Sequence, residues 1–407
     1  MKSTLDFSVL WRHPNFGLLY TGQLLSFAGT VITGVAFPWQ IYHLTHSTLL
    51  IGLLSLCRLL PLLVTALFGG VLADRHHRRV LLFVSEITLA IGCLLLAWNA
   101  SRIHNSISFI FITATLMSAI TGLHRPALDS LTQQIIPKKD YKTVGALSSL
   151  KFNLCLIAGP AIGGLLISHF GLVIAYLVDG ASFVISLITL VLMKNIPGPT
   201  VKDDLSAIAS LRQGVRYAFS RQELMGSYLV DFVAMIFGMP NALFPAIAQS
   251  YGGVKTLGLL YSAPAVGALL ASFFSGWARQ VKHYGMAIAI AASLWGVSII
   301  FFGLATHLWV ALFFLALAGI FDDISGLFRQ TLWNETIPNE LRGRLAGIEM
   351  ISYLSGPRLG DTEASLVAAA FGVTASIVSG GVLCVLGVGI VCYGLPKFRQ
   401  FKSIDGI

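Results

Sequence analysis

Apolar blocks of about twenty residues recur along the whole chain, and few folds can hide that many from water. A block of this length matches an α-helix crossing roughly 30 Å of hydrocarbon. Twelve blocks are read, at about residues 14–43, 48–73, 80–99, 107–135, 142–168, 171–194, 222–249, 255–279, 284–305, 308–336, 342–370 and 373–396. They are too long and too uniformly apolar for the strands of a membrane barrel. Only 11% of the residues are charged, where a soluble domain carries about a quarter. The expected fold is an all-α membrane protein with twelve transmembrane helices.

The net charge of +9 does not point to nucleic acid, because the basic residues form short clusters between apolar blocks rather than one stripe or tail. With the N-terminus inside, 20 of the 27 Lys and Arg residues fall in cytoplasmic segments and only Arg102 and Lys255 outside. That asymmetry puts both termini in the cytoplasm. Residues 1–13 and the long apolar stretch after them do not read as a cleavable signal. The five cysteines all lie within apolar blocks, with no CxxC pair, and read as small buried hydrophobes.

The longest polar stretch, 195–221, separates six blocks from six. It opens with Pro197, Gly198 and Pro199, and Leu205, Ile208, Leu211 and Val215 then recur at helical spacing beside Arg212 and Arg216. An amphipathic helix on the inner membrane face is expected there. The domains are accordingly 1–194, a linker at 195–221, and 222–407.

The two halves repeat. Gly52-Leu53-Leu54 and Gly70 match Gly258-Leu259-Leu260 and Gly276 at a constant offset of 206 residues. Gly122-Leu123-His124-Arg125 matches Gly326-Leu327-Phe328-Arg329, Ile136-Pro137 matches Ile337-Pro338, and Gly159-Pro160 matches Gly356-Pro357. Membrane composition accounts for shared glycines but not for shared Arg and Pro. Two pseudo-symmetric six-helix bundles follow, with a site expected at their interface near the bilayer midplane.

Between the second and third blocks stands Gly70-Val71-Leu72-Ala73-Asp74-Arg75-His76-His77-Arg78-Arg79. This resembles the G-x-x-x-D-R-x-G-R-R/K signature of the major facilitator superfamily, with His77 in place of the usual second glycine. The resemblance implies the major facilitator fold. It makes Gly70, Asp74, Arg75, Arg78 and Arg79 a gating motif that latches the outward-facing state. The run Ser355-Gly356-Pro357-Arg358-Leu359-Gly360-Asp361-Thr362-Glu363-Ala364 and the start Trp11-Arg12-His13-Pro14-Asn15-Phe16 are similar to the bacterial branch containing the enterobactin exporter. That likeness implies a bacterial inner membrane location and export, while the superfamily resemblance implies a cavity lined by spans 1, 4, 7 and 10 with 2, 5, 8 and 11 beside them.

Ionisable side chains at bilayer depth are costly and normally face a cavity or a partner. Arg58, Arg125, Asp322, Asp323, Arg358 and Asp361 fall near mid-depth; Arg329 also lies within a span. Asp129, Lys151 and Asp231 lie nearer the cytoplasm, and Glu363 lies outward of Asp361. All are on the spans that the resemblance makes cavity-lining; Glu86 and Asp179 are not and rank lower. Asp322 and Arg329 share a helix face. Arg125 with Asp129 and Arg358 with Asp361 are either structural ion pairs or substrate contacts. Arg58 either meets an anionic substrate group or pairs across the bundle.

Asp322 and Asp323 point about 100° apart on a helix, so both cannot face one cavity. One of them, with Asp231 or Asp361 and with Glu363 nearby, is the expected proton carrier; the alternative is a capping or paired carboxylate. Arg58, Arg125, Asp129, Lys151, Arg329 and Arg358 are the expected substrate contacts. Pro61, Pro126, Pro160, Pro240, Pro264 and Pro357 are expected to kink their spans. Trp295, Trp309 and Trp333 are either interfacial anchors or ligand contacts.

No GxxxxGK[ST] loop, HExxH or Cys/His cluster occurs, and no segment could house an enzyme domain. No cofactor or metal is expected. The partners expected are a small-molecule substrate, protons and the lipid bilayer, with no nucleic acid, and the chain is expected to act as a monomer. The resulting expectation is proton-coupled export of a siderophore- or drug-like compound by antiport. The alternatives are an importer on the same fold and a non-transporting membrane receptor or assembly partner.

Overall fold

The computed structural model describes residues 6–194, 196, 216–338 and 341–402, without the side chains of residues 70, 71, 73–75, 275, 279, 342–344 and 346–348. The amphipathic helix expected at 195–221 lies almost wholly outside the described residues. The side chains of Gly70, Asp74 and Arg75 from the gating motif do as well.

Helices account for nearly all of the described chain, and no strand occurs among the described residues. In order they are α1 (Ser8–Arg12), α2 (Pro14–Thr45), α3 (Thr48–Arg75), α4 (Arg78–Ser101), α5 (Ile107–Ile135), α6 (Tyr141–Leu192) and α7 (Gln222–Phe237). There follow α8 (Phe244–Tyr251), α9 (Val254–Phe273), α10 (Tyr284–Leu304), α11 (Leu308–Thr336), α12 (Arg342–Phe371), α13 (Val373–Gly394) and α14 (Pro396–Arg399).

Ten of the described helical stretches are long and apolar enough to cross a membrane. They differ from the twelve expected in two places. The 52-residue α6 runs through positions 168–171, but Gly171 breaks its helical geometry at φ +81°. Glycine alone enters that region freely, so the chain turns there without a side-chain clash. The 30-residue α12 is long enough to span, yet it carries Arg358, Asp361 and Glu363 within its apolar stretch.

Pro240 interrupts a helix: α7 stops at Phe237, a 3-10 turn follows at Asn241–Leu243, and α8 resumes at Phe244. Pro61, Pro126, Pro160, Pro264 and Pro357 instead sit inside continuous helices, as does Pro38. At Pro240 the missing N–H adds to a glycine at Gly238, which together leave the turn without a helical donor ladder.

The chain divides into two compact units. The first comprises Met1–Leu44, Cys57–Asp204 and Val254–Gly258. Its core includes Leu19, Leu82, Leu131 and Leu190 at one level and Leu89, Cys93 and Phe183 at another. Close helix approach is set by small residues: a Cβ on Gly122 would collide with the α3 backbone at Leu62, and one on Gly258 would meet Ala161 of α6.

The second unit comprises Thr45–Leu56, Leu205–Gly253 and Leu259–Ile407. Gly52 at the start of α3 meets Ser365 of α12, so a Cβ there would lie 2.5 Å from the serine Cβ. Gly319 abuts the α9 backbone at Pro264, and Gly267 abuts α11 at Ala316. The fully buried Phe398 of α14 packs on Gly226 and Gly285, which fixes the C-terminal segment to α7 and α10.

Candidate functional site

In the second unit, charges meet around Arg329 on α11. Its guanidinium forms an ion pair with Asp231 of α7, both side chains at most 10% exposed. Asp322, two turns earlier on α11, lies 4.0 Å from the other guanidinium nitrogen and is 43% exposed. One cation therefore stands between two carboxylates. The adjacent Asp323 turns away and accepts a hydrogen bond from Ser272 of α9 at 3.1 Å. Positions 322, 326, 329, 330, 333 and 334 fall at helical spacing, giving α11 a stripe that runs from Asp322 through Gly326, Arg329 and Gln330 to Trp333 and Asn334.

The α12 charges are held separately. Asp361 accepts from the Ala242 backbone N–H at 2.9 Å and from the Ser55 hydroxyl at 2.9 Å. It thus caps the 3-10 turn after Pro240, at the break in the seventh span. Arg358 donates to the Leu354 carbonyl at 3.0 Å, and Thr362 donates to the Gly52 and Arg358 carbonyls. Glu363 is half-buried without a hydrogen bond among the described residues.

In the first unit, Arg125 and Asp129 pair along α5 at 3.4 Å and remain 65% and 60% exposed. Lys151 of α6 lies over the Tyr20 ring at 5.7 Å and within electrostatic range of both. The Tyr20 hydroxyl donates to the Leu147 carbonyl. Arg58 sits 5.2 Å from the Phe37 ring centroid, and its own carbonyl accepts from Ser118. Of the gating motif, Arg78 and Arg79 reach backbone carbonyls of Ser130 and Val191, tying the loop to α5 and α6.

The sequence ranked Glu86 low, yet it centres a buried network. Its Oε1 accepts from Gln23 Nε2 at 2.5 Å and Ser186 Oγ at 2.9 Å, and faces His124 Nε2 at 3.3 Å. Glu86 is fully buried, and its Oε2 has no hydrogen-bond partner among the described residues. A second buried carboxylate, Asp179, accepts from Cys93 and Ser182. The signal that could have found Glu86 was present: a glutamate in an otherwise apolar block needs polar neighbours, and Gln23 and His124 were the available ones.

No group of three or more His, Cys, Asp or Glu residues could hold a metal among the described residues.

Residues 7–406 match the family described as transmembrane secretion effector. The chain belongs to that family. Members are transporters of the major facilitator type, not enzymes, so this protein is a membrane-embedded transporter of small molecules. The chain is 28% identical to the enterobactin exporter EntS of Shigella boydii serotype 4 (strain Sb227), covering 98% of this chain and 96% of that one. It is 27% identical to the EntS of Escherichia coli O1:K1 / APEC over the same shares. Among solved structures, a POT family transporter in complex with 5-aminolevulinic acid superposes with a TM-score of 0.76 at 14% identity, covering 94% of this chain and 96% of that one. The nucleoside transporter NupG gives 0.72 at 11% identity, over 92% and 99%. These likenesses carry the fold.

Proposed function

We propose that this family member exports a small organic compound, siderophore- or drug-like, across the bacterial inner membrane in exchange for protons. Residues 1–194 and 222–407 act as two six-helix halves joined by 195–221, both termini lie in the cytoplasm, and the halves alternate access to the two sides. The direction rests on the similarity to exporters named for enterobactin.

The observation that supports proton coupling is the Arg329 cluster. One guanidinium between Asp231 and Asp322 leaves these three groups with a net single negative charge, two of them buried. Such a charge is costly there, and one proton removes it. With Asp322 protonated, Arg329 is held by Asp231 alone; with Asp322 ionised, the arginine is shared. Proton loading on Asp322 thus changes how exclusively Asp231 holds Arg329, and with it α11 against α7, a local event that can bias a helix movement. Asp322 is the half-exposed member and the natural point of proton entry. Arg58, Arg125, Asp129, Lys151 and Arg358 offer charges to the cargo. Asp323, Asp361 and Glu363 are further carboxylate candidates for the proton, of which Asp361 is already engaged in capping.

Everted inner-membrane vesicles carrying the protein test this reading, with enterobactin as the first cargo tried. Export predicts accumulation in the lumen that collapses when a protonophore removes the pH gradient. Accumulation that ignores the protonophore removes proton coupling. Gradient-driven loss of preloaded cargo reverses the direction and makes the protein an importer.

A further inference from the structure

Beyond the charged cluster, a cavity of about 130 Å³ opens in the second unit between α7, α11 and α12. Its wall is aromatic: Tyr228 stacks on Trp333 with centroids 4.9 Å apart and an interplanar angle of 26°. Trp333 is fixed in place, since its indole N–H donates to the buried Ser227 hydroxyl at 3.0 Å. Ile337 and Leu345 supply apolar surface, while Gln330, Asn334 and Glu349 supply polar groups. Glu349 lies within electrostatic range of both Arg329 and the Tyr228 hydroxyl, which ties the cavity to the charged cluster one to two helical turns away.

Size and lining together restrict what fits. An apolar cavity of about 150 Å³ takes up benzene, so this one holds a single ring rather than a whole multi-ring cargo. The Tyr228–Trp333 wall favours a flat aromatic face. Glu349 offers only acceptors when ionised, so it favours hydroxyl or amino donors on the ring and repels a carboxylate. The exposed amides of Gln330 and Asn334 can serve a donor or an acceptor. These are not side chains that gain from facing lipid, which assigns their surface to an aqueous path.

We infer that this cavity is a cargo subsite that holds one aromatic ring bearing a hydroxyl or amino donor. It rests on the transport reading above and names the chemical class of one part of the cargo. The stacked Tyr228–Trp333 pair, whose facing surfaces cover each other, presents its outer surface to the ring, and Glu349 takes the donor at its edge. A cargo seated there also places charge or dipole within range of Arg329, which links cargo loading to the proton-carrying cluster.

The test uses the full chain in lipid nanodiscs and three probes of similar size: phenol, anisole and cyclohexanol. Ligand-observed saturation-transfer NMR reads binding. Phenol is expected to bind at least about 5-fold more tightly than anisole, which lacks the donor, and than cyclohexanol, which lacks the flat ring. Glu349→Gln, which keeps shape, is expected to narrow the phenol-to-anisole difference. Trp333→Leu is expected to abolish the phenol-to-cyclohexanol difference, and Trp333→Phe to retain most of it. Equal binding of all three probes overturns the subsite, and so does phenol binding that is unchanged in both Glu349→Gln and Trp333→Leu. Enterobactin flux in vesicles is scored separately. Flux without probe discrimination removes the subsite alone, whereas probe discrimination in a protein that moves no enterobactin supports the subsite and removes enterobactin as the cargo.

Discussion

A Gly-Leu-x-Arg stretch occurs once in each half, and its two copies have different fates. In Gly122-Leu123-His124-Arg125 the arginine stays exposed and pairs along its own helix with Asp129, while His124 turns inward to Glu86. In Gly326-Leu327-Phe328-Arg329 the arginine is buried against Asp231 of another helix, while Phe328 packs between Trp277 and Tyr284. Each copy therefore sends one polar side chain into a buried network, but not the same one. The repeat preserves the residue pattern, while the surroundings of its arginine have diverged. The first half keeps an exposed charge pair and the second a buried one, and the proposed mechanism assigns the proton to the buried copy.

Removing Asp231 should break this contrast most severely. Asp231→Ala leaves Arg329 buried without its ion pair, a change that costs about 3–5 kcal/mol. It is expected to lower the thermal midpoint of the detergent-solubilised protein by more than any substitution of the exposed pair. Because Asp322 lies 4.0 Å away, Asp231→Ala with Asp322→Ala is expected to be worse than either alone. A double variant as stable as the wild type would mean that the cluster does not hold α7 to α11.

Next in size is the first half's network. Glu86→Ala strands Gln23, Ser186 and His124, and unsatisfied buried groups cost about 1–3 kcal/mol. Glu86→Gln retains an acceptor and should recover most of that loss in the same melts. Equal losses in the two variants would show that the negative charge, rather than the hydrogen bonds, holds the network.

The turns that end the matching helices sharpen the comparison further. Gly171 has φ +81° and Gly372 has φ +92°. Alanine at either position costs about 1–3 kcal/mol through the backbone alone, because positive φ with ψ of 175° and 160° is a glycine region and no heavy atom lies within 4 Å of an added Cβ. Equal shifts are expected; a response at one site only would show that the two turns are not equivalent. The smallest effect belongs to Asp129→Ala, about 0–1 kcal/mol, because its pair with Arg125 is solvent-exposed.

Much of the fold was legible because membrane helices declare themselves by length. The blocks read at 107–135 and 308–336 coincide with α5 and α11. The break at Pro240 was harder: a proline in an apolar block signals strain but not whether the helix continues, and Pro61 and Pro264 do sit in continuous helices. The turns at Gly171 and Gly372 fall at the boundaries read between the fifth and sixth and between the eleventh and twelfth blocks, but their correspondence was hidden because the second half has four more residues between its Gly-Pro and this glycine. Within the site, the shared face of Asp322 and Arg329 followed from spacing. The partner of Arg329 did not, because Asp231 lies 98 positions away and only packing brings it near. Asp361 read as a proton carrier from depth alone, and its hydrogen bonds to Ala242 and Ser55 were invisible without the turn they cap.

The central claim is that the buried copy of the motif, not the exposed one, couples cargo to protons. Asp322→Asn removes the titrating carboxylate while leaving Arg329 paired with Asp231. In everted vesicles at matched expression, cargo accumulation should lose its dependence on the imposed pH gradient, while Asp129→Asn keeps that dependence. Gradient dependence unchanged in Asp322→Asn, or lost instead in Asp129→Asn, would contradict it.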